Sequence, residues 1–460
     1  MLKKHGILHP LFRRDLWRPA LATAALLLVG NGAWGDDARK VKTEPAVRLL
    51  TTIPVPPTAA AVSTAGGLYS YDISWVDQVT QRYYLADRSN NVVDVVNANN
   101  STFNRQIAAT PPFKGFVTPA ACTALGGANC SGPNAVTTAG GGLPWLFVTD
   151  GGSRVITIDL TTDKTVSDVV TKANDPNRAD EFAYDPKDGI LLVVNPNETT
   201  PFFTLVSVNK ATGKLTPGPN IPLPFATNGA EQPVWDPGTQ KFYLAIPEIS
   251  KITTLGAVLR ISTTGTIETM YGVALCSPGG LALGPNDELL VGCNTVFDTA
   301  GGVWTGNAST DTNTATPYRV ILDAKTGFIL EYVPGVGAGD EVWFNSGDGH
   351  YYTADSGSPQ APNAITPAPP PTPPLTAQGA ALLGVIDAFS RTLDQNVPTL
   401  NVPAVTTGPL ASQHPAGTAH SVAANSNNNR IFVPVAADNV FEGCLQGCIL
   451  VFGRSDNDKD

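Results

Sequence analysis

Apolar and polar positions along this 460-residue chain follow one recurring pattern. A short apolar run is followed by a turn rich in Asp, Asn, Gly, Pro or Lys, and then by a second run rich in β-branched and aromatic residues. The pattern occurs seven times: "DISWVDQVTQRYYLAD" from Asp72, "NAVTTAGGGLPWLFVTD" from Asn134, "DEFAYDPKDGILLVVN" from Asp180, "EQPVWDPGTQKFYLAI" from Glu231, "GGLALGPNDELLVGCN" from Gly279, "DEVWFNSGDGHYYTAD" from Asp340 and "HSVAANSNNNRIFVPV" from His420. Each stretch predicts a β-hairpin. Most are followed by a third apolar run, such as "VITIDLTTDKT" (155–165) or "RVILDAKTGFIL" (319–330), whose turn leads into a fourth. Successive units are 62, 46, 51, 48, 61 and 80 residues apart, at or above the length of a four-stranded blade, with the excess read as loops. Sustained 3.6-residue periodicity is missing after residue 35, so helix is expected to be negligible.

Four-stranded antiparallel meanders repeated in this way predict an all-β chain, a seven-bladed β-propeller, because radial repetition leaves only short, protected sheet edges. The seventh unit ends in "GCILVFGR" (447–454), which supplies a third strand and leaves too little chain for a fourth. Residues 46–55, "AVRLLTTIPV", have the character to serve as that strand and close the ring. Residues 36–460 are therefore expected to form one propeller domain, with the proline-rich segment 358–378 as a surface loop.

The stretches "RYYLADRSNNVVDVVNAN" and "GILLVVNPNETTPFFTLVSVNKATGKL" resemble the YVTN-type repeat of YncE-like exported bacterial propellers. The resemblance extends over nearly the whole chain after residue 35 and implies the seven-bladed ring. It implies little about activity, since related propellers include lactonase-like hydrolases, metal-dependent lyases and binding modules.

Aligned on their turns, the seven units begin with Asp72, Asn134, Asp180, Glu231, Gly279, Asp340 and His420, followed by Ile73, Ala135, Glu181, Gln232, Gly280, Glu341 and Ser421. The first strand of a propeller blade is the innermost, so these columns should gather at one mouth of the central channel. Antiparallel pairing places Asp87, Asp150, Asn195, Asn294 and Asp355, at the ends of the second strands, on the same rim. Crowded carboxylates raise one another's pKa or recruit a cation. Asp180, Glu231, Asp340 and His420 are the candidate metal ligands, with Ca²⁺ or Mg²⁺ favoured over Zn²⁺ by hard oxygen donors. His420 and Glu231 are the candidate acid/base residues, and Asp72, Asn134, Asp180, Glu181, Gln232, Asp340 and Glu341 the candidate ligand-binding set. Asp77, Asp185 and Asp236 fall in hairpin turns, where an aspartate caps free backbone N–H groups. His350 reads as a turn or surface residue, and His414 as part of a loop near the channel. Trp75, Trp145, Trp235 and Trp343 read as core between blades.

Residues 1–35 read as an export signal: Lys3, Lys4, Arg13, Arg14 and Arg18, an apolar segment (20–30) too short to span a bilayer, and a small-residue site at Ala33-Trp34-Gly35. Arg13-Arg14 before Leu16-Trp17 resembles a twin-arginine signal, and paired arginines are also ordinary signal-peptide charge. Removing this segment takes the net charge from −10 to −14, which argues against nucleic acid and anionic membrane as partners. Later segments contain no membrane span and no nucleotide-binding motif. The six cysteines pair locally along the chain as Cys122 with Cys130, Cys276 with Cys293 and Cys444 with Cys448, and an export route makes disulfides the expected state among fifteen connectivities. A periplasmic or secreted protein is expected. It would bind a small ligand or a protein partner on the channel face; the alternatives are a metal-dependent lactonase-like hydrolase or lyase, and a structural interaction scaffold.

Overall fold

The computed structural model describes residues 45–58, 67–304, 315–336, 339–355, 382–399, 420–437, 441 and 443–454. The export signal, the proline-rich segment 358–378 and His414 lie outside the described residues, as do the side chains of Asp340 and Asp355. All of the propeller falls in one compact unit, Pro45–Asp460.

Seven antiparallel sheets form the ring. Blade 1 runs Ser74–Asp77, Arg82–Asp87, Val92–Asn97 and Thr102–Ile107 from the axis outwards, and blades 2 to 4 repeat this order from Val136–Thr138, Phe182–Asp185 and Pro233–Asp236. Blade 5 starts at Cys276–Leu283 and adds a short strand, Val303–Trp304, on its second strand; blade 6 starts at Gly339–Asn345. Blade 7 has Ala423–Asn425, Arg430–Val435 and Cys448–Gly453, and its outermost strand is Arg48–Pro54 from the other end of the chain, paired antiparallel with Ile53 opposite Ile449. The ring is closed by the segment expected to close it. Helix among the described residues is confined to Pro119–Ala124 and a 3-10 turn at Pro285–Asp287.

The period-2 pattern explains why the blades stack. In "RYYLAD", Tyr83 and Leu85 point towards blade 7 and pack with Phe432 and Val451, whereas Tyr84 and Ala86 point towards blade 2 and pack with Val136 and Leu146. Both faces of a second strand are buried, so its sequence is almost continuously apolar. Seven such clusters fill the seven interfaces between neighbouring blades. The three disulfides join the expected pairs, and Cys276–Cys293 ties the first strand of blade 5 to its second. No helix among the described residues is long and apolar enough to cross a membrane.

Candidate functional site

First strands lie innermost and contact one another around the axis, so residues that precede them converge although they are far apart in sequence. Asp72 is the hub. Its Oδ1 accepts from His420 Nε2 at 2.9 Å, and its Oδ2 faces the guanidiniums of Arg88 and Arg178, the latter at 3.5 Å. Arg88 also donates to Asn134 Oδ1 from Nε at 3.0 Å and from Nη2 at 2.7 Å, and Asn134 passes the network on by donating to the Ala179 carbonyl. Arg178 donates to Asp180 at 2.5 Å and lies in the field of Glu231 and Glu181. Burial pushes the Asp72 carboxyl up, but Arg88, His420 and Arg178 overcome it and hold the pKa at about 2.

The candidate residues Asp72, Asn134, Asp180, Glu181, Glu231 and His420 are thus brought together by two arginines that the sequence pattern did not single out. Arg178 stands among the carboxylates expected to recruit a metal, and its guanidinium supplies positive charge there without an ion. Asp340 belongs to the strand Gly339–Asn345, which starts at the same rim.

On the other side of the mouth, Gln232 donates to Glu341 at 2.8 Å and accepts from the Leu281 amide at 2.7 Å. Blade 5 has Gly279 and Gly280 at the corresponding positions, and blade 4 reaches blade 6 through the Gln232–Glu341 bond. Of the second-strand ends, Asn294 reaches the mouth position Gly279, where its amide lies 2.5 Å from the place of a Cβ, and three others add no ligands to this mouth. Asp87, Asp150 and Asn195 are fully buried in local bonds: Asp87 with Asn90, Asp150 with Arg154 and the Lys114 amide, and Asn195 with Ser153 and Thr171. Asp77, Asp185 and Asp236 accept from backbone amides in their turns, as expected.

Below the mouth the channel opens into a cavity of about 500 Å³. Its upper wall carries Glu181, Gln232 and Glu341, and its sides carry Trp75, Trp235, Trp343, Phe182, Tyr184 and Phe344. Three of the four tryptophans expected to pack only between blades therefore line the axis. Trp145 alone keeps to an interface, where it donates to the Lys210 carbonyl. Trp75 and Trp343 belong to blades 1 and 6 yet meet edge to face, with centroids 5.0 Å apart. The inner strand of blade 7 presents only Ala423 and Ala424 between them, both fully buried.

A second cluster lies at the turn end of blade 6. His350 follows the turn expected there but is 3% exposed, so it is not at the surface. Its Nδ1 donates to the Asp348 carbonyl at 2.8 Å, and its Nε2 lies 3.0 Å from Asp394 and 3.2 Å from Arg454. Donor atoms of His350, Asp387 and Asp394 fall within 4.8 Å of one another, a spacing that could hold a metal ion. Burial would lower the His350 pKa, but the bonds to Asp348 and Asp394 prevail and raise it to about 9. The protonated imidazole and Arg454 both oppose a cation there.

No protein-family model matches the sequence, and no curated protein matches it. Among solved structures, the fold is similar to a chain of hydrazine synthase from Kuenenia stuttgartiensis, with a TM-score of 0.57, 11% identity, and coverage of 85% of this chain and 97% of that one. At this identity the likeness establishes the propeller fold alone, and the resemblance to YVTN-type repeats likewise extends to the fold.

Proposed function

We propose that this protein is an exported binding module that takes a small ligand into the central channel, whose wall carries Glu181, Gln232 and Glu341. The observation that carries this reading is the cavity. Its volume lies within the roughly 300–1,000 Å³ range of ligand sites, and its walls combine aromatic faces with a few fixed polar groups. The Asp72, Arg88, Arg178 and His420 network supports it by fixing the rim, because every charged member has a partner of opposite sign. Three disulfides accord with a periplasmic or extracellular location. A divalent ion at Asp180, Glu231, Asp340 and His420 would have to compete with Arg178, so ligand binding is not made to depend on one.

A neutral apolar fluorophore, N-phenyl-1-naphthylamine, tests the reading. It should bind with unit stoichiometry, and Val234→Trp, which fills the cavity from a half-buried position, should abolish binding while leaving the thermal midpoint in place. Binding unaffected by Val234→Trp, or no binding to the wild type, would count against a channel site.

One contact favours a second reading, an enzyme. Asp72 orients His420 as a carboxylate orients a general base, and the imidazole is 30% exposed. Turnover of a lactone panel that is lost in His420→Gln would establish hydrolysis.

A further inference from the structure

The two ends of the cavity differ, and the inference drawn from that difference rests on the channel-binding reading above. At the end carrying Glu181 and Glu341, residues of all seven blades bond to one another. His420 of blade 7 and Arg178 of blade 3 both reach Asp72 of blade 1, whose neighbour Arg88 reaches Asn134 of blade 2. Gln232 of blade 4 joins the Leu281 amide of blade 5 to Glu341 of blade 6. Arg178, in the field of Glu181 and Glu231, links the two groups. Asp72, Asn134, Asp180, Glu181 and Glu341 are buried, and the side chains of Arg88 and Arg178 are only 12% and 14% exposed. Asp72, Arg88, Asn134, Arg178 and His420 do not line the cavity, which stops beneath them. A ligand passing this layer would have to part buried ion pairs and leave charges without partners.

Towards the hairpin turns the lining becomes progressively more exposed. Trp75, Trp235 and Trp343 are half-buried, and beyond them Val79 is 68% exposed, with Gly141 and Pro186 exposed as well. These last three sit in the inner turns of blades 1, 2 and 3. A Cβ added at Gly140 or Gly141 would meet nothing within 4 Å, so the rim stands open at blade 2. The inner turns of all seven blades belong to the described residues. Hydrogen bonds also fix the shape of this rim. Asp77 accepts from the Val79 and Thr80 amides, and Gln78 reaches across to blade 7, donating to the Ala424 carbonyl at 2.8 Å and accepting from the Ser426 amide at 2.7 Å.

We propose that the channel is a single-ended well, entered and left through the turn rim between Val79, Gly141 and Pro186, with the seven-blade polar layer as its fixed floor. An incoming ligand meets the indole walls first and the side chains of Glu181, Gln232 and Glu341 last. Val79 and Pro186 then decide what passes, and the opposite face of the ring is closed to the ligand.

Tethering an apolar tag at either end tests the proposal on the full exported chain. Val79→Cys and Pro186→Cys place a thiol on two sides of the turn rim, and Asn228→Cys places one on the opposite face, at an exposed position three residues before Glu231. Each variant is labelled with N-phenylmaleimide without reductant, so that the three disulfides stay closed. From position 79 or 186 the tag should enter the well and weaken binding of N-phenyl-1-naphthylamine by about tenfold or more relative to the same variant before labelling, because tethering gives the tag a high effective concentration. From position 228 it should leave the fluorophore affinity and the unit stoichiometry unchanged. Two rim positions keep the test alive if one substitution prevents folding. Blocking from position 228, or no blocking from the turn rim, would overturn the single-ended well while fluorophore binding to the wild type still upholds a ligand channel. Failure of the fluorophore to bind the wild type would remove both.

Discussion

His420 Nε2 donates to Asp72 Oδ1 across 2.9 Å, joining residues 348 positions apart in the chain. The bond crosses from blade 7 to blade 1, alongside a second one in which the Ser74 amide donates to Ser421 Oγ at 2.8 Å. Ring closure and the proposed site therefore share residues. Asp72→Asn leaves Arg88 and His420 facing an amide in place of a carboxylate, and breaking a buried charge pair costs about 3–5 kcal/mol. Urea denaturation at pH 7 should show a loss of about 3 kcal/mol, to which the ion-pair network commits it. The wild type should show the matching acid dependence. The folded-state pKa of about 2 lies below the ordinary 3.8, so the stability due to Asp72 is present above pH 3.8 and is lost as pH falls through about 2. Asp72→Asn should remove that component of acid sensitivity.

Asp87 and Asp94, on adjacent strands of blade 1, predict the opposite sign. Both are fully buried. Burial raises the Asp87 pKa to about 6, despite hydrogen bonds from Asn90, and burial together with the Asp87 charge raises Asp94 well above its ordinary value. The folded chain therefore binds more protons than the unfolded chain as pH rises from 3.8, and stability falls through about pH 6. Asp94→Asn removes the acid and retains an oxygen for the Gln106 amide, which now donates to Asp94 at 2.9 Å. Calorimetry should find this variant more stable than wild type at pH 7, by about 1–3 kcal/mol, with the difference vanishing near pH 4. A lower midpoint at pH 7 would contradict the account.

How far the sequence carried the reading can be traced in single residues. Asp77, Asp185 and Asp236 were legible because an Asx turn needs only its own neighbours. Strand order was legible because period-2 alternation fixes which side chains face which neighbouring blade. The alternation has no symbol for the axle, however. Trp75, Trp235 and Trp343 sit on inner strands that touch both neighbours and the channel, so core and cavity wall look alike in sequence. Arg88 and Arg178 lie just outside the strands, where a lone cation ordinarily reads as solvated loop. Only closure of the ring places Arg178 beside Asp72, 106 residues away. His350 directly follows the turn as its pattern indicates, and its burial is not legible for the same reason, since Arg454, which helps cover it, comes from 104 residues further along.

The His350 cluster titrates in a third window. A folded pKa of about 9 against an ordinary 6.5 means that its stabilisation is complete below pH 6.5 and is lost as pH rises through about 9. Asp394 is 41% exposed, and screening there limits the contribution to about 1 kcal/mol. Thermal midpoints measured from pH 6 to 10 should fall more steeply for wild type than for His350→Gln. Zn²⁺ at pH 7 should leave the wild-type midpoint unchanged, because the ion must displace a proton from the imidazole and stand beside Arg454. A Zn²⁺-dependent rise that is lost in His350→Gln would instead establish the His350, Asp387 and Asp394 group as a metal site.

The closing strand supplies the last prediction. Arg48–Pro54 is held on one side by its ladder to Cys448–Gly453, and just before it Val47 is gripped by blade 6. The Gln395 side chain accepts from the Val47 amide at 2.8 Å and donates to the Val47 carbonyl at 2.9 Å, so one carboxamide extends the sheet pattern across the seam. Val47 itself is buried with Val385, Val397 and Leu450, which joins the clasp to the hydrophobic interface between blades 6 and 7. Gln395→Ala removes both bonds and leaves two backbone groups without partners, at about 1–3 kcal/mol. Because the seam is where the ring joins its two ends, the loss should appear first as local opening. Hydrogen exchange should accelerate in the amides of Val47 and of residues 48–53 by about tenfold or more, while second-strand amides such as those of Ile190–Asn195 keep their wild-type rates. Uniform acceleration across all seven blades would mean that the ring opens as one unit and that the seam is not its weakest joint.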